Sequence, residues 1–180
     1  MKCTSAVLVL VLLNLMDSPA QADIRDAIKA SCAAKYQPKP CGTDERGKEW
    51  IRLNDRKCMR MGHSLYDYDR AEQCCMYHYG GHLVSIHNLE EYNRVLCMLF
   101  RENSEEMLPV WIGLKKDEDS TEYDYTDFSE LDFHRWFVTP TNTEKGEKVC
   151  IRMNYGVWGH WSPLNCSEKL LYVCTVGWIE

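Results

Sequence analysis

Ten cysteines constrain the fold of this 180-residue chain more than any other feature of its sequence. They stand at positions 3, 32, 41, 58, 74, 75, 97, 150, 166 and 174. In an oxidising compartment such a set predicts a disulfide framework, although spacing alone does not assign the pairs. No Cys-x-x-Cys pair is present, so the spacing does not indicate a zinc site of the usual tetrahedral kind. The compartment therefore decides what these cysteines do.

The N-terminus predicts secretion. Residues 6–13 form an apolar run that is too short to cross a bilayer of ~30 Å as a helix, and an Ala-x-Ala cleavage sequence follows it. We expect residues 1–22 to be a signal peptide and the mature, extracellular chain to begin at Asp23. No second apolar stretch approaches membrane length. Cys3 would be removed with the signal peptide, which would leave nine cysteines in the mature chain. Because this number is odd, at least one thiol must be free or bonded to another chain.

The charge pattern argues against several classes of function. Lys and Arg number 21 against 27 Asp and Glu, which gives a net charge of −6, and no basic cluster is present. Such a chain is not expected to bind nucleic acid or an anionic membrane surface by charge. No nucleophile motif, catalytic-metal spacing or phosphate loop occurs in the sequence, so we predict no enzymatic activity and assign no catalytic residue.

Hydrophobic periodicity predicts two domain helices and a set of short strands. Asp67 is placed to cap a helix over residues 68–78, and Asn88 with Glu91 to cap a second over residues 89–101. Strands are predicted at residues 50–53, 57–61, 82–86, 110–114, 122–125, 149–153, 157–161 and 170–176. Because the two helices are segregated before most of these strands, the fold class is predicted to be α+β.

A third, shorter helix is predicted over residues 23–34, where it carries Cys32 and ends before Pro38. Such a helix is marginally stable by itself. We therefore expect residues 23–40 to form an N-terminal extension and residues 41–180 to form a single domain. In an extension of this kind Cys32 is available to link two chains into a disulfide-bonded dimer.

Several residues in a fixed order resemble one known family. They are Ala71 four positions before Cys75, the sequence GGHLVSI at 80–86, WIGL at 111–114, Trp136, Cys150, Trp161, Cys166 and Cys174. This set, which spans about residues 41–175, is similar to the C-type lectin-like domain. The resemblance implies two helices packed on small antiparallel sheets, a long irregular loop and a disulfide-stapled core. It also implies a secreted recognition protein that binds a glycan or a protein ligand.

The resemblance further implies three disulfides, namely Cys41–Cys58, Cys75–Cys174 and Cys150–Cys166. Cys32, Cys74 and Cys97 lie outside the usual set of the family. Cys74 and Cys97 occupy the two predicted helices, each away from the main apolar stripe of its helix. The preferred interpretation pairs Cys74 with Cys97 and leaves Cys32 to bond another chain. The alternative makes Cys74 or Cys97 the interchain cysteine.

The calcium site of sugar-binding family members is only partly represented. Calcium takes about 6–8 oxygen ligands, several of them from carboxylates. Sugar-binding members supply calcium ligands from a triplet that consists of an acid or amide, a proline and an amide. This triplet aligns with TPT at residues 139–141. Their second set of ligands, an Asn-Asp pair, aligns with SP at residues 162–163. Glu147 is the single weak candidate for the remaining acid. We therefore expect no cofactor, because the usual Ca²⁺ ligand set is missing.

The ligand is expected to bind at the long-loop face, which we define as residues 137–148 and 155–165. The candidate residues are Thr139, Pro140, Thr141, Asn142, Glu144, Glu147, Trp158, Ser162 and Asn165. An atypical calcium site, built from the side-chain oxygens of Asn142, Glu144 and Asn165, is an alternative interpretation. A solvated polar loop is the preferred one. In the family the proline at this bend is often preceded by a cis bond, which would fix the loop's shape.

The alternative prediction for the function is a matrix or mineral-associated structural protein. It would use an acidic loop together with interchain disulfides. The acids of this loop are Asp117, Glu118, Asp119, Glu122, Asp124, Asp127, Glu130 and Asp132. A solvated loop surface is the preferred explanation for them.

Overall fold

The computed structural model describes residues 19–44, 47–137, 139–140 and 146–177. This part of the chain contains three helices and nine strands. The helices are α1 (Pro19–Ala34), α2 (Tyr68–Tyr79) and α3 (Leu89–Glu102). The strands are β1 (Pro40–Thr43), β2 (Glu49–Arg52), β3 (Lys57–Tyr66), β4 (His82–Leu83), β5 (Val110–Lys116), β6 (Asp124–Tyr125), β7 (Val149–Tyr155), β8 (Val157–Asn165) and β9 (Leu170–Gly177). The predicted α+β class is confirmed.

The strands form one sheet in the order β1-β2-β3-β9-β5-β7-β8, with β4 paired to β9 and β6 paired to β5. The pairing of β5 with β9 is parallel, and the other pairings are antiparallel. The last strand therefore lies in the middle of the sheet, between β3 and β5. The β7–β8 hairpin forms one edge of this path and carries much of the expected long-loop face.

Both sides of the central strands are buried. Along β5, Ile112 packs into a core that includes residues of α3, β7 and β8, whereas Trp111 packs into a second core with residues of α2 and β9. Successive side chains of a strand point to opposite faces of its sheet. This alternation explains why the strand is apolar at every position from 110 to 114. The Trp111 indole also donates a hydrogen bond to the Tyr66 carbonyl at 3.0 Å.

Both domain helices begin at the predicted caps. The Asp67 carboxylate accepts a hydrogen bond from the Arg70 backbone N–H, and the Asn88 side chain accepts one from the Glu91 N–H, each at 2.9 Å. Such bonds satisfy N–H groups that have no partner within the helix. Not every apolar residue of α3 is buried, since Leu89 is 54 % exposed. As the first helical residue it lies outside the packed part of α3.

The disulfides correct one part of the cysteine prediction. The structure contains the three pairs that the resemblance implies, together with a fourth that joins Cys32 to Cys97. The proposed Cys74–Cys97 bond and the interchain role of Cys32 are therefore wrong for this structure. Among the described residues Cys74 is the free cysteine, and it accepts a hydrogen bond from the Tyr172 hydroxyl at 3.1 Å.

The packing of α1 explains this change of partner. Ile24 and Ile28 are partly buried against the core that contains α3, and the Cα atoms of Cys32 and Cys97 lie 5.4 Å apart. The N-terminal helix thus packs on the domain instead of extending away from it. It begins at Pro19 and continues past Asp23, whereas residues 1–18 lie outside the described part, so the signal peptide at residues 1–22 stays a prediction. Within the described ranges no helix is long and apolar enough to cross a membrane.

Candidate functional site

The start of the long loop is held along the edge of the β7–β8 hairpin. The backbone N–H of Phe137 donates a hydrogen bond to the Trp161 carbonyl, and the backbone N–H of Trp161 donates one to the Arg135 carbonyl, each at 2.8 Å. These bonds extend the sheet by a short bridge beyond β8. They place the Phe137 ring beside the end of the hairpin, which brings two separate parts of the long-loop face together.

A series of contacts joins five side chains at this position. Arg152 Nε donates to Ser162 Oγ at 3.0 Å, and the guanidinium carbon lies 3.7 Å from the centre of the Tyr155 ring. The Phe137 ring meets Tyr155 edge-on at 5.9 Å and His160 edge-on at 6.2 Å. We call Arg152, Tyr155, Phe137, His160 and Ser162 the hairpin site.

The hairpin turn that presents this site is tight and held by its own side chains. Asn154 and Gly156 have positive φ angles of 65° and 71°. A Cβ atom at Gly156 would lie 2.7 Å from the Phe137 ring, so the close approach of that ring requires glycine. Asn154 Oδ1 accepts a hydrogen bond from the Gly159 N–H at 2.7 Å, which closes the turn from inside.

The charge of the hairpin site is positive. Partial burial lowers the pKa of the Arg152 guanidinium from its usual value, and Tyr155 and Glu168 act in the opposite direction. Arginine is so strongly basic that it nevertheless stays charged at neutral pH. Because water screens this charge less than that of a fully solvated arginine, an anion at the site would interact with it more strongly.

Comparison with known proteins assigns the family. The family model of the lectin C-type domain matches residues 64–176, which include α2, α3 and the whole β7–β8 hairpin. The chain belongs to the C-type lectin domain family. This result confirms the resemblance drawn from the ordered residues of the sequence.

Two lectins illustrate the range of sequence relatives. A C-type isolectin, Sp-CL4, of Scorpaena plumieri is 26 % identical over 143 residues, which cover 79 % of this chain and 92 % of the isolectin. An alpha-N-acetylgalactosamine-specific lectin of Patiria pectinifera is 30 % identical over 122 residues, which cover 65 % of this chain and 72 % of that lectin. Membership of a family with such relatives supports ligand recognition rather than catalysis.

Solved structures agree with this assignment. The herring type II antifreeze protein has a TM-score of 0.62 and 26 % identity, and the match covers 72 % of this chain and 97 % of that one. A calcium-independent type II antifreeze protein has a TM-score of 0.60 and 27 % identity, with 72 % and 92 % covered. The C-type lectin fold of this chain is therefore supported by both sequence and structure.

The long-loop candidates have different surroundings in this C-type lectin domain. Ser162 is buried within the hairpin site, and Thr139 is exposed just beyond the segment that holds Phe137. Pro140 is half-buried, and the peptide bond before it is not cis, contrary to the family tendency. Thr141, Asn142 and Glu144 lie outside the described residues.

Two further candidates have local partners apart from the hairpin site. The exposed Glu147 uses its backbone carbonyl to accept a hydrogen bond from the Lys116 ammonium at 2.9 Å. The Asn165 side-chain oxygen accepts hydrogen bonds from both the backbone N–H and the hydroxyl of Ser167, each at 2.9 Å. The bonds of Asn165 are local to a turn at the end of β8.

Trp158 is a core residue, which corrects its assignment as a ligand-binding candidate. It is only 6 % exposed, and its ring lies 5.3 Å from that of Phe100 on α3. Strict alternation along β8 would place Trp158 and Trp161 on opposite faces. Gly159, which lies between them, has a φ of 79° and interrupts the alternation, so both indoles enter the same core.

The described residues do not fit the usual calcium site. The Ser162 hydroxyl, at the position of the family's amide ligand, accepts a hydrogen bond from a guanidinium cation, and Pro163 has no side-chain oxygen to offer. A cation so close to the site would repel Ca²⁺. In the described ranges no three His, Cys, Asp or Glu side chains are grouped so that they could hold a metal ion.

The acidic loop is partly neutralised by contacts within the domain. Asp117 pairs with Lys115, Asp132 forms a hydrogen bond with His87 at 2.8 Å, and Asp127 pairs with Lys57 at 2.7 Å. The remaining acids of the loop are exposed, and they are Glu118, Asp119, Glu122, Asp124 and Glu130. This arrangement gives part of the loop a structural role.

Asp127 provides a pH-dependent prediction. Burial opposes ionisation of its carboxyl, but hydrogen bonds from Lys57, Ser129 and Ser85 outweigh burial and hold the pKa well below its usual range. A lowered folded-state pKa stabilises the protein above the unfolded-state pKa of ~4, and this stabilisation is lost as the pH falls towards the folded-state value. We expect Asp127→Asn to lower the free energy of unfolding at pH 7 by about 2 kcal/mol.

Urea denaturation at several pH values tests this expectation. The difference between wild type and Asp127→Asn should shrink progressively below about pH 4. The matched control is Glu130→Gln, which removes an exposed charge from the same loop and should change stability by less than about 0.5 kcal/mol. A loss that is equally large at pH 7 and pH 2 would show that the Asp127 charge is not responsible.

Proposed function

We propose that this protein is a secreted recognition protein that binds a glycan or a protein ligand through its long-loop face, without the calcium-dependent monosaccharide site. Family membership supports recognition as the general activity. The observation that carries the finer proposal is the hydrogen bond from Arg152 to Ser162. It places a fixed cation where the usual mechanism needs oxygen ligands for a metal.

Exposed aromatic rings support the choice of surface. Phe137 and Tyr155 are 44 % and 43 % exposed although each packs against another part of the hairpin site. Rings of this kind contribute large contact area at little entropic cost, and tyrosine adds a polar tip. Because the surrounding turn already holds both rings, a ligand would not have to order them on binding.

A glycan array probed with the mature protein tests this proposal, with calcium in one arm and a chelator in the other. We expect the same glycans to be bound in both arms, and Tyr155→Ala to weaken binding about tenfold or more. The control is Tyr77→Ala, which removes a tyrosine that is 78 % exposed on α2, outside the long-loop face. Release by the chelator would overturn the calcium-independent mechanism.

If the protein binds no glycan on the array, the alternative of a protein ligand is tested by chemical cross-linking to candidate partners in the extracellular fluid of the source tissue. Cross-links should then concentrate on the long-loop face. Cross-links confined to α2 and the β1–β2 hairpin would contradict the proposed surface.

A further inference from the structure

We propose that the hairpin site takes an acidic saccharide, whose carboxylate or sulfate group pairs with Arg152 while its ring packs on Tyr155 and Phe137. This inference rests on the proposed function, because it names a ligand class for the same surface. Its basis is that one oriented cation, Arg152, contacts the exposed ring of Tyr155, which in turn contacts the exposed ring of Phe137.

The orientation of Arg152 is set from two directions. Ser162 accepts the hydrogen bond of Nε, and the guanidinium carbon lies over the Tyr155 ring, 3.7 Å from its centre. A guanidinium also offers the edge formed by its two Nη groups, whose geometry matches both oxygens of a carboxylate or sulfate. Since Ser162 engages Nε, a bidentate contact can use the Nη edge without breaking that bond.

The aromatic rings of Tyr155 and Phe137 provide the surface on which the sugar ring packs. Phe137 stands at 87° to Tyr155, with 5.9 Å between the ring centres, so the two rings form the walls of a corner beside the guanidinium. The C–H faces of a pyranose ring are apolar enough to pack on such walls, while its hydroxyl groups remain towards water. Gly156 keeps the corner narrow, because a Cβ atom there would displace Phe137.

Charge favours an acidic ligand over a neutral one. A neutral sugar can accept only ordinary hydrogen bonds from Arg152, whereas an ionised group makes charge-assisted bonds that are roughly twice as strong. The protein carries a net charge of −6, so attraction of an anion has to come from this local cation and not from the overall field. We therefore expect the acidic group to increase affinity about tenfold or more.

The test compares three probes by calorimetry on the mature protein with a chelator present. They are lactose, sialyllactose as the carboxylate probe and sulfated lactose as the sulfate probe. We expect both acidic probes, or one of the two, to bind about tenfold or more tightly than lactose. Arg152→Gln should remove this preference, so that all three probes bind with similar affinity, and Arg152→Lys should restore part of it. Arg56→Gln, at an exposed arginine in the β2–β3 turn, should change nothing.

The outcomes separate this inference from the proposed function. Equal binding of acidic and neutral probes, lost in Tyr155→Ala, would overturn the acidic-ligand inference and leave the long-loop face as the binding surface. Failure of all three probes would overturn the inference as well, and the glycan array would then decide the proposed function. If Arg152→Gln does not fold, as judged by circular dichroism, the probe comparison on wild type and the Arg152→Lys variant still decide the result.

Discussion

Removal of the Cys75–Cys174 disulfide by a double substitution to alanine is expected to lower the free energy of unfolding by about 4–5 kcal/mol. The two cysteines are separated by 99 residues in sequence, and the bond ties α2 to β9 in the middle of the sheet. In the chain-entropy model a longer closed loop restricts the unfolded chain more, so this bond should contribute more than a short-range bond. Such a loss is a large fraction of a typical domain stability of ~5–15 kcal/mol.

Two control variants make this expectation specific. Removal of Cys41–Cys58, whose residues are separated by 17 positions, should cost about 3 kcal/mol when urea unfolding is followed by tryptophan fluorescence. Cys74→Ala alters a half-buried cysteine without a disulfide partner and should cost about 1 kcal/mol or less. A loss for Cys75–Cys174 no larger than that for Cys41–Cys58 would contradict the loop-length argument.

Gly81→Ala is expected to destabilise the protein by about 3 kcal/mol or more. An added Cβ atom would lie 1.9 Å from the carbonyl oxygen of Thr175, which belongs to the backbone of β9. A strand backbone in mid-sheet cannot move aside without breaking ladder hydrogen bonds, so the clash cannot be relieved by a rotamer change. The next residue, His82, pairs directly with Thr175 and would be displaced as well.

The neighbouring glycine is a matched control for this substitution. Gly80 has a φ of 69°, but a Cβ atom added there would meet no other atom within 4 Å. Gly80→Ala should therefore carry only the conformational cost of about 1–2 kcal/mol. Thermal or urea unfolding of both variants gives the comparison. A greater loss for Gly80→Ala than for Gly81→Ala would refute the close-approach argument.

Local sequence signals predicted much of the secondary structure. Asp67 and Asn88 mark the observed starts of α2 and α3, and the predicted ends of both helices differ from the observed ends by one residue. The strand predicted at 82–86 is shorter in the structure, where β4 contains only His82 and Leu83. Caps and periodicity depend on neighbours within one turn or strand, so a sequence pattern can reveal them without knowledge of the fold.

Contacts between distant segments were harder to predict. The partner of Cys97 depends on where α1 packs, and neither cysteine carries a signal that identifies the other. Trp158 was misassigned because a single left-handed glycine changes which face of β8 the indole occupies. Arg152 was not recognised as a candidate site residue, although its register opposite Ser162 would have indicated it once the β7–β8 hairpin was aligned.

The sequence by itself determined the α+β class, and its resemblance to the C-type lectin-like domain implied the family and three of the disulfides. It also predicted that the usual calcium ligands are missing. Only the tertiary structure decided that Cys32 bonds within the chain and that Arg152, Tyr155 and Phe137 meet at one site. Residue identity and spacing report local conformation and chemistry, whereas the meeting of distant side chains depends on register and packing, which the complete fold establishes.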